Sequence, residues 1–148
     1  MIAVALLLAT APELASASLG FSGATLSVRS VDDPRRRGTA QRKVTLTLPS
    51  GNTRSMELHD GGGLVRNNSL NLYHVDQDNF LLVSERDCVA VDPIKGSLNQ
   101  CHRTTACVPS RMYIGRFDWM NGFDPPHGRF GFKWRFLPAY DALENGGC

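Results

Sequence analysis

Arg129-Phe130-Gly131-Phe132-Lys133-Trp134-Arg135-Phe136 places an aromatic ring at every second position, with arginine, glycine and lysine in between. A period of two is typical of a β-strand that buries one face and exposes the other. The segment therefore predicts a strand with a row of rings facing a core and a row of cations facing solvent.

An upstream segment, 113–119, repeats this design. Alternation puts Tyr113, Phe117 and Trp119 on one face, and Ile114, Arg116 and Asp118 on the other. Between the two segments, residues 121–128 contain Asn-Gly, Asp-Pro-Pro and a further glycine, a composition typical of turns. The region from Tyr113 to Tyr140 is thus predicted to be an antiparallel hairpin with a long loop.

The rest of the chain also shows strand patterns. Short alternating runs occur at 25–31, 42–48, 53–59, 70–75, 79–84, 87–92 and 97–101, with Leu26, Val28, Val44, Leu46 and Leu48 predicted to face inward. Turn signals such as Pro49-Ser50-Gly51-Asn52 separate them, and no stretch of ten residues keeps a helical period. The pattern predicts an all-β fold, a small antiparallel barrel or sandwich of about eight strands with two disulfides.

The first residues have the pattern of a secretory signal peptide. An apolar run from Ile2 to Ala11 is followed by Pro12 and then by Ala15-Ser16-Ala17, which fits a cleavage signature. Residues 1–17 are therefore predicted to be removed, leaving one β domain over 18–148 in the periplasm or outside the cell. Because no basic residue precedes the run, a misassigned start and a short membrane anchor remain alternatives. The apolar run is too short to span a bilayer.

Four cysteines in an exported chain favour disulfides. If 87–92 and 97–101 form a hairpin, Cys88 lies opposite Cys101 at a separation that a disulfide can bridge. The remaining pair, Cys107 and Cys148, would then tie the C-terminus to the body. A zinc site of Cys88, Cys101, His102 and Cys107 is the alternative, but its spacing fits no common ligand pattern. Neither a cofactor nor a metal is predicted.

Charge is nearly balanced, with 16 Lys and Arg against 14 Asp and Glu, so net charge does not argue for nucleic acid or membrane binding. The cations are nevertheless clustered. One cluster is Arg35-Arg36-Arg37 with Arg42-Lys43, and the other comprises Arg103, Arg111, Arg116, Arg129, Lys133 and Arg135. Taken singly, each run is typical of a solvated surface.

The predicted hairpin also suggests a function. Its cationic face flanks a loop predicted to expose Phe123 and His127, and an aromatic anchor among charges is typical of a recognition surface. We therefore expect a non-enzymatic binding protein, an inhibitor or immunity-type factor, that is a monomer or weak dimer. Its partner would be an acidic protein or another anionic macromolecule. The binding residues would be Arg116, Phe123, His127, Arg129, Lys133 and Arg135.

The alternative is a secreted hydrolase such as an endoribonuclease. His127 and a carboxylate, Glu85 or Asp118, would act as acid and base, and nearby arginines would stabilise charge on the phosphate. No spacing in the chain matches a nuclease motif. The run His59-Asp60-Gly61-Gly62-Gly63 is similar to the glycine-rich loop of esterases, but the G-x-S-x-G nucleophile motif is missing from the sequence.

Overall fold

The computed structural model describes residues 15–32, 40–58, 69–76, 78–84, 86–102, 112–124 and 129–140. Within these ranges the protein is all-β, with one 3-10 turn at Gly20–Ser22 and no α-helix. The first of its two antiparallel sheets contains β1 (Ala15–Ser18), β2 (Thr25–Asp32), β3 (Ala40–Thr47) and β4 (Thr53–Leu58), which neighbour one another in chain order.

The second sheet has six strands. It contains β5 (Leu70–Asp76), β6 (Asn79–Val83), β7 (Cys88–Asp92), β8 (Ser97–Gln100), β9 (Met112–Asp124) and β10 (Arg129–Pro138), in the order β10-β9-β5-β6-β7-β8. The predicted hairpin of the 113–140 region is confirmed as β9 and β10, which pair from Asp124 and Arg129 to Gly115 and Pro138.

The two sheets pack face to face around one core. β1 and β2 lie against β10, and β4 lies against β8. Both sheets contribute fully buried side chains: Leu26, Val28, Val44 and Leu46 from the first, and Leu70, Leu72, Leu82 and Phe117 from the second. Each contributes about 1.5–3 kcal/mol relative to full exposure. The inward positions predicted for β2 and β3 are therefore confirmed.

Of the two predicted architectures, the barrel is wrong, because the described strands form two separate sheets that do not close. The described residues form ten strands, of which β2 to β10 coincide with the nine predicted segments. The remaining strand, β1, consists of residues 15–18 and so overlaps the predicted leader. Cleavage after Ala17 stays a prediction, and it would remove most of β1. Within the described ranges, no helix is long and apolar enough to cross a bilayer.

A β-bulge in β9 reverses one predicted face. Tyr73 pairs with Tyr113, but the preceding residue Leu72 pairs with Gly115, so Ile114 is an extra residue in β9. As a result, Tyr113 packs on Tyr73 outside the core, whereas Ile114 packs against the core that holds Phe117. The prediction that Tyr113 and Phe117 share a face is wrong, because an inserted residue shifts the alternation.

Gly115 makes this bulge possible. Its φ is +155°, a backbone conformation that residues with a Cβ atom rarely adopt. A Cβ at this position would also lie 2.8 Å from Cζ of Phe136 and would run into the carbonyl oxygen of Leu137. Glycine is therefore required here both by the backbone conformation and by the close approach of β10.

An ion pair buried between the two sheets is another departure from the predictions. Arg42 of β3 was assigned to a solvated cluster, but it is only 2% exposed. Its Nη2 donates to Oδ2 of Asp87 at 2.8 Å. The Ser84 hydroxyl supports the turn that carries Asp87, because it accepts from the Asp87 backbone N–H at 3.0 Å. Arg42 is buried because it has the same strand phase as the buried Val44 and Leu46. The prediction was wrong because it considered the charge of Arg42 and not this phase.

One of the two predicted disulfides is confirmed. Cys88 and Cys101 are bonded, with Cα atoms 5.0 Å apart, and the Cys101 N–H donates to the Cys88 carbonyl at 2.9 Å. The zinc alternative is therefore wrong, since two of its four ligands form this disulfide. Cys107 and Cys148 lie outside the described residues, and their pairing stays a prediction.

Candidate functional site

The hairpin of β9 and β10 extends beyond the sheet that holds it. Pairing between β5 and β9 ends at Leu70 and Phe117, whereas pairing between β9 and β10 continues to Asp124 and Arg129. We call residues 118–124 and 129–135 the arm. Among the described strands, this part of β9 pairs only with β10. At about 3.4 Å per residue, the arm is about 24 Å long, and at its Trp119–Trp134 end Trp134 still packs in the sandwich core.

The base of the arm carries mixed charge. Nη2 of Arg116 lies 3.0 Å from Oδ2 of Asp118, and both side chains are about one fifth exposed, at 22% and 21%. Arg135 stands opposite Asp118 in the register and is exposed. The predicted row of cations is therefore interrupted by a carboxylate that already pairs with one of them.

Farther along the arm, backbone register defines which positions are neighbours. Arg129 is paired with Asp124, and Lys133 is paired with Met120. Cross-strand partners share one side of a two-stranded ribbon. β10 has three cationic positions, 129, 133 and 135. Positions 129 and 135 each stand opposite an aspartate, whereas position 133 stands opposite an apolar residue.

The ring side of β10 is confirmed for its described side chains. Trp134 is buried and Phe136 packs against the core. The rings of Phe117 and Phe136 lie 4.9 Å apart between centroids, with their planes at 55°. Such tilted pairs are a favourable arrangement for aromatic rings. The base of the arm is therefore anchored to the sandwich through these rings.

The predicted loop is shorter than expected. Residues 121–124 belong to β9, so Phe123 lies in a strand opposite Phe130 rather than in a loop. The turn-forming residues Asn121 and Gly122 were misleading because pairing with β10 overrides local turn preference. Of the proposed binding residues, Arg116, Phe123, Arg129, Lys133 and Arg135 are thus brought onto one hairpin. His127 lies outside the described residues.

A separate cleft of about 400 Å³ lies where the two sheets meet. Its described lining includes Leu58, Arg86, Asp87, Gln100, His102 and the disulfide. The Asp87 carboxylate is bound to Arg42, and both cysteines are bonded to each other. Arg86 and His102 are exposed at the rim. Sequence reasoning missed this cleft because it is formed by residues from distant parts of the chain.

The catalytic alternative gains no geometric support from the described residues. Asp118, one of its two candidate carboxylates, forms the ion pair with Arg116. The other candidate, Glu85, and the histidine His127 lie outside the described residues. Within the described ranges, no three His, Cys, Asp or Glu side chains are grouped to hold a metal ion.

Comparison with known proteins gives no relative. No family model, curated protein or solved structure matches this chain.

Proposed function

We propose that the protein is an exported, non-enzymatic binding protein that presents the arm to an acidic protein or another anionic macromolecule, in the manner of an inhibitor or immunity factor. The observation that carries this proposal is the reach of the arm beyond the sandwich. A two-stranded ribbon that continues past its own sheet can enter a cleft or lie along a partner.

The charges of the arm favour an anionic partner. In the arm, the three cations Arg129, Lys133 and Arg135 outnumber the two aspartates Asp118 and Asp124, and all five positions share one side of the ribbon. An excess of cations on a projecting element steers an acidic partner and accelerates encounter, and the effect weakens with salt. We take position 133 as the centre of the contact because its register partner, Met120, bears no opposing charge.

Charge reversal tests this proposal. Lys133→Glu/Arg135→Glu is compared with Arg54→Glu/Lys95→Glu, which reverses two exposed cations outside the arm. The probe is immobilised poly-L-glutamate. We expect the wild type and the control to be retained, and the arm variant to bind at least about tenfold more weakly. Equal retention of the two variants would show that the arm is not the contact.

Two further measurements address export and catalysis. The mass of the protein recovered from the periplasm or medium defines its N-terminus, and a start at Ser18 would agree with the predicted cleavage. Incubation with RNA tests the hydrolase alternative. Turnover that is lost in His127→Ala, with the fold intact, would replace the binding proposal by the enzymatic one.

A further inference from the structure

Exposed apolar side chains are concentrated at one end of the sandwich. The described residues include four large hydrophobic side chains classed as exposed: Phe21 at 112%, Tyr140 at 86%, Ile94 at 63% and Met112 at 60%. Single exposed hydrophobic residues are common on protein surfaces, but a group at one location marks an interaction site. Whether these four form a group depends on where the topology places them.

Strand register places Phe21 and Ile94 at the same end. The β1–β2 connection follows the pair Ser18–Thr25, and the β3–β4 connection follows the pair Thr47–Thr53. Because Thr25 also pairs with Thr47, both connections lie at the same end of the sheet. Phe21 lies in the β1–β2 connection. The β7–β8 turn meets the β3–β4 turn there, since a Cβ on Gly96 would lie 2.8 Å from Cδ1 of Leu48. Ile94 belongs to that β7–β8 turn.

Met112 and Tyr140 lie at this end as well. Met112 is the first residue of β9 and pairs with His74 of β5. The same row of paired residues continues across the sheet through Phe80, Val91 and Leu98. This row is adjacent to the β7–β8 turn. Tyr140 follows β10, and the preceding Ala139 donates its N–H to the Ile114 carbonyl at 2.8 Å, beside the start of β9. All four side chains therefore share the end opposite the arm.

The turns that present two of these side chains are closed by local hydrogen bonds. Around Phe21, the Ser22 hydroxyl donates to the Leu19 carbonyl at 2.7 Å, and the Leu19 N–H donates to the Ala24 carbonyl at 2.9 Å. At Ile94, Asp92 Oδ1 accepts from the N–H groups of Ile94 and Lys95 at 3.0 and 2.9 Å. Little backbone conformational entropy therefore remains to be lost when these side chains become buried.

We propose that this end, which we call the apolar end, inserts Phe21, Ile94, Met112 and Tyr140 into the interfacial region of a phospholipid bilayer. The four side chains project from separate connections and strand ends, and an interfacial lipid layer can accommodate each one independently. Aromatic side chains with one polar and one apolar part, such as Tyr140, are favoured at that depth. This proposal is independent of the arm, which leaves the sheet at the other end.

The charges near the apolar end favour neutral headgroups. Lys95 lies 3.9 Å from the Asp92 carboxylate, and Asp76 and Asp78 are exposed in the neighbouring β5–β6 turn. No excess of cations is therefore available among these described side chains to attract anionic lipid. Insertion should be driven by apolar burial, and it should be insensitive to salt.

The test is flotation of the protein recovered from the periplasm or medium, with phosphatidylcholine vesicles at low and high salt, so that the apolar run Ile2 to Ala11 does not contribute to lipid binding. We expect the wild type to float equally at both, and Phe21→Ser/Ile94→Asn to partition about tenfold more weakly. Arg54→Ala/Glu57→Ala is the matched control, because it also changes two exposed side chains and leaves net charge unchanged. It should float like the wild type. Circular dichroism and thermal melts establish that both variants are folded.

Several outcomes would overturn the proposal. The first is absence of wild-type flotation, and the second is flotation of Phe21→Ser/Ile94→Asn equal to that of the wild type. The third is flotation only with phosphatidylglycerol that is lost in high salt or in Lys133→Glu/Arg135→Glu. The last result would assign lipid contact to the arm. Concentration-dependent self-association without lipid, abolished by Phe21→Ser/Ile94→Asn, would assign the apolar end to a second copy of the chain.

Discussion

The sandwich and the arm are stabilised in different ways. In the sandwich, β3 is tied to the second sheet by the Arg42–Asp87 ion pair, and both sheets share one core. In the described part of the arm, β9 pairs only with β10. An isolated two-stranded ribbon is marginally stable in water. The comparison predicts that the arm opens locally at a lower free energy than the sandwich does.

The largest effect is expected from breaking the link between the sheets. Asp87→Ala would leave Arg42 buried without its carboxylate, and such losses destabilise by about 3–5 kcal/mol. Chemical denaturation of the purified protein measures the change in unfolding free energy. Replacing both residues, Arg42→Met/Asp87→Leu, should recover much of the loss, because no charge then remains buried without its partner.

The matched variant for this comparison lies in the arm. Lys133→Glu/Arg135→Glu changes two residues that lie outside the link between the sheets, so the unfolding free energy should change by only about 0.5 kcal/mol or less. If the arm variant destabilised the protein as much as Asp87→Ala, the sandwich and arm would have to be regarded as one cooperative unit.

An intermediate effect is expected in the part of β9 that lies within the six-stranded sheet. Gly115→Ala combines an unfavourable φ with a collision against β10, and we expect a loss of about 2–4 kcal/mol in unfolding free energy. Gly51→Ala is the control, since Gly51 also has a positive φ, +89°, but open space around the added Cβ. It should lose only about 1 kcal/mol. Equal losses would mean that the collision with β10 contributes nothing.

Sequence patterns were sufficient where one rule held along a whole strand. Val44 and Leu46 were placed correctly because strict alternation in β3 has only one inward phase. The same phase includes Arg42, and applying the rule consistently would have required a buried acidic partner for it. That partner, Asp87, is remote in sequence, and the pairing depends on how the two sheets stack.

The candidate sites were less predictable than the fold. The bulge in β9 inserts one residue, Ile114, and nothing in local alternation indicates where an insertion occurs. Residues 121–124 have the composition of a loop, and only their pairing with β10 makes them part of the arm. The apolar end was missed entirely, because Phe21, Ile94, Met112 and Tyr140 come from four separate segments that only the topology brings together.

The smallest effect tests the end of the sandwich remote from the arm. Asn79 Nδ2 donates to Asp76 Oδ1 at 2.6 Å, and this hydrogen bond lowers the pKa of the Asp76 carboxyl below its ordinary value of 3.8. Because the folded-state pKa is lowered, the carboxylate stabilises the fold above its unfolded pKa. That contribution is lost as the pH falls through the folded pKa.

Asp76→Asn removes this pH dependence. The difference in unfolding free energy between wild type and variant should be constant from about pH 7 to pH 5 and should shrink below about pH 4. Denaturation at a series of pH values measures it, with Asp78→Asn as the control that removes an equal charge from the same turn. A difference that persisted undiminished at about pH 2 would mean that Asp76 stabilises the turn by its shape and not by its charge.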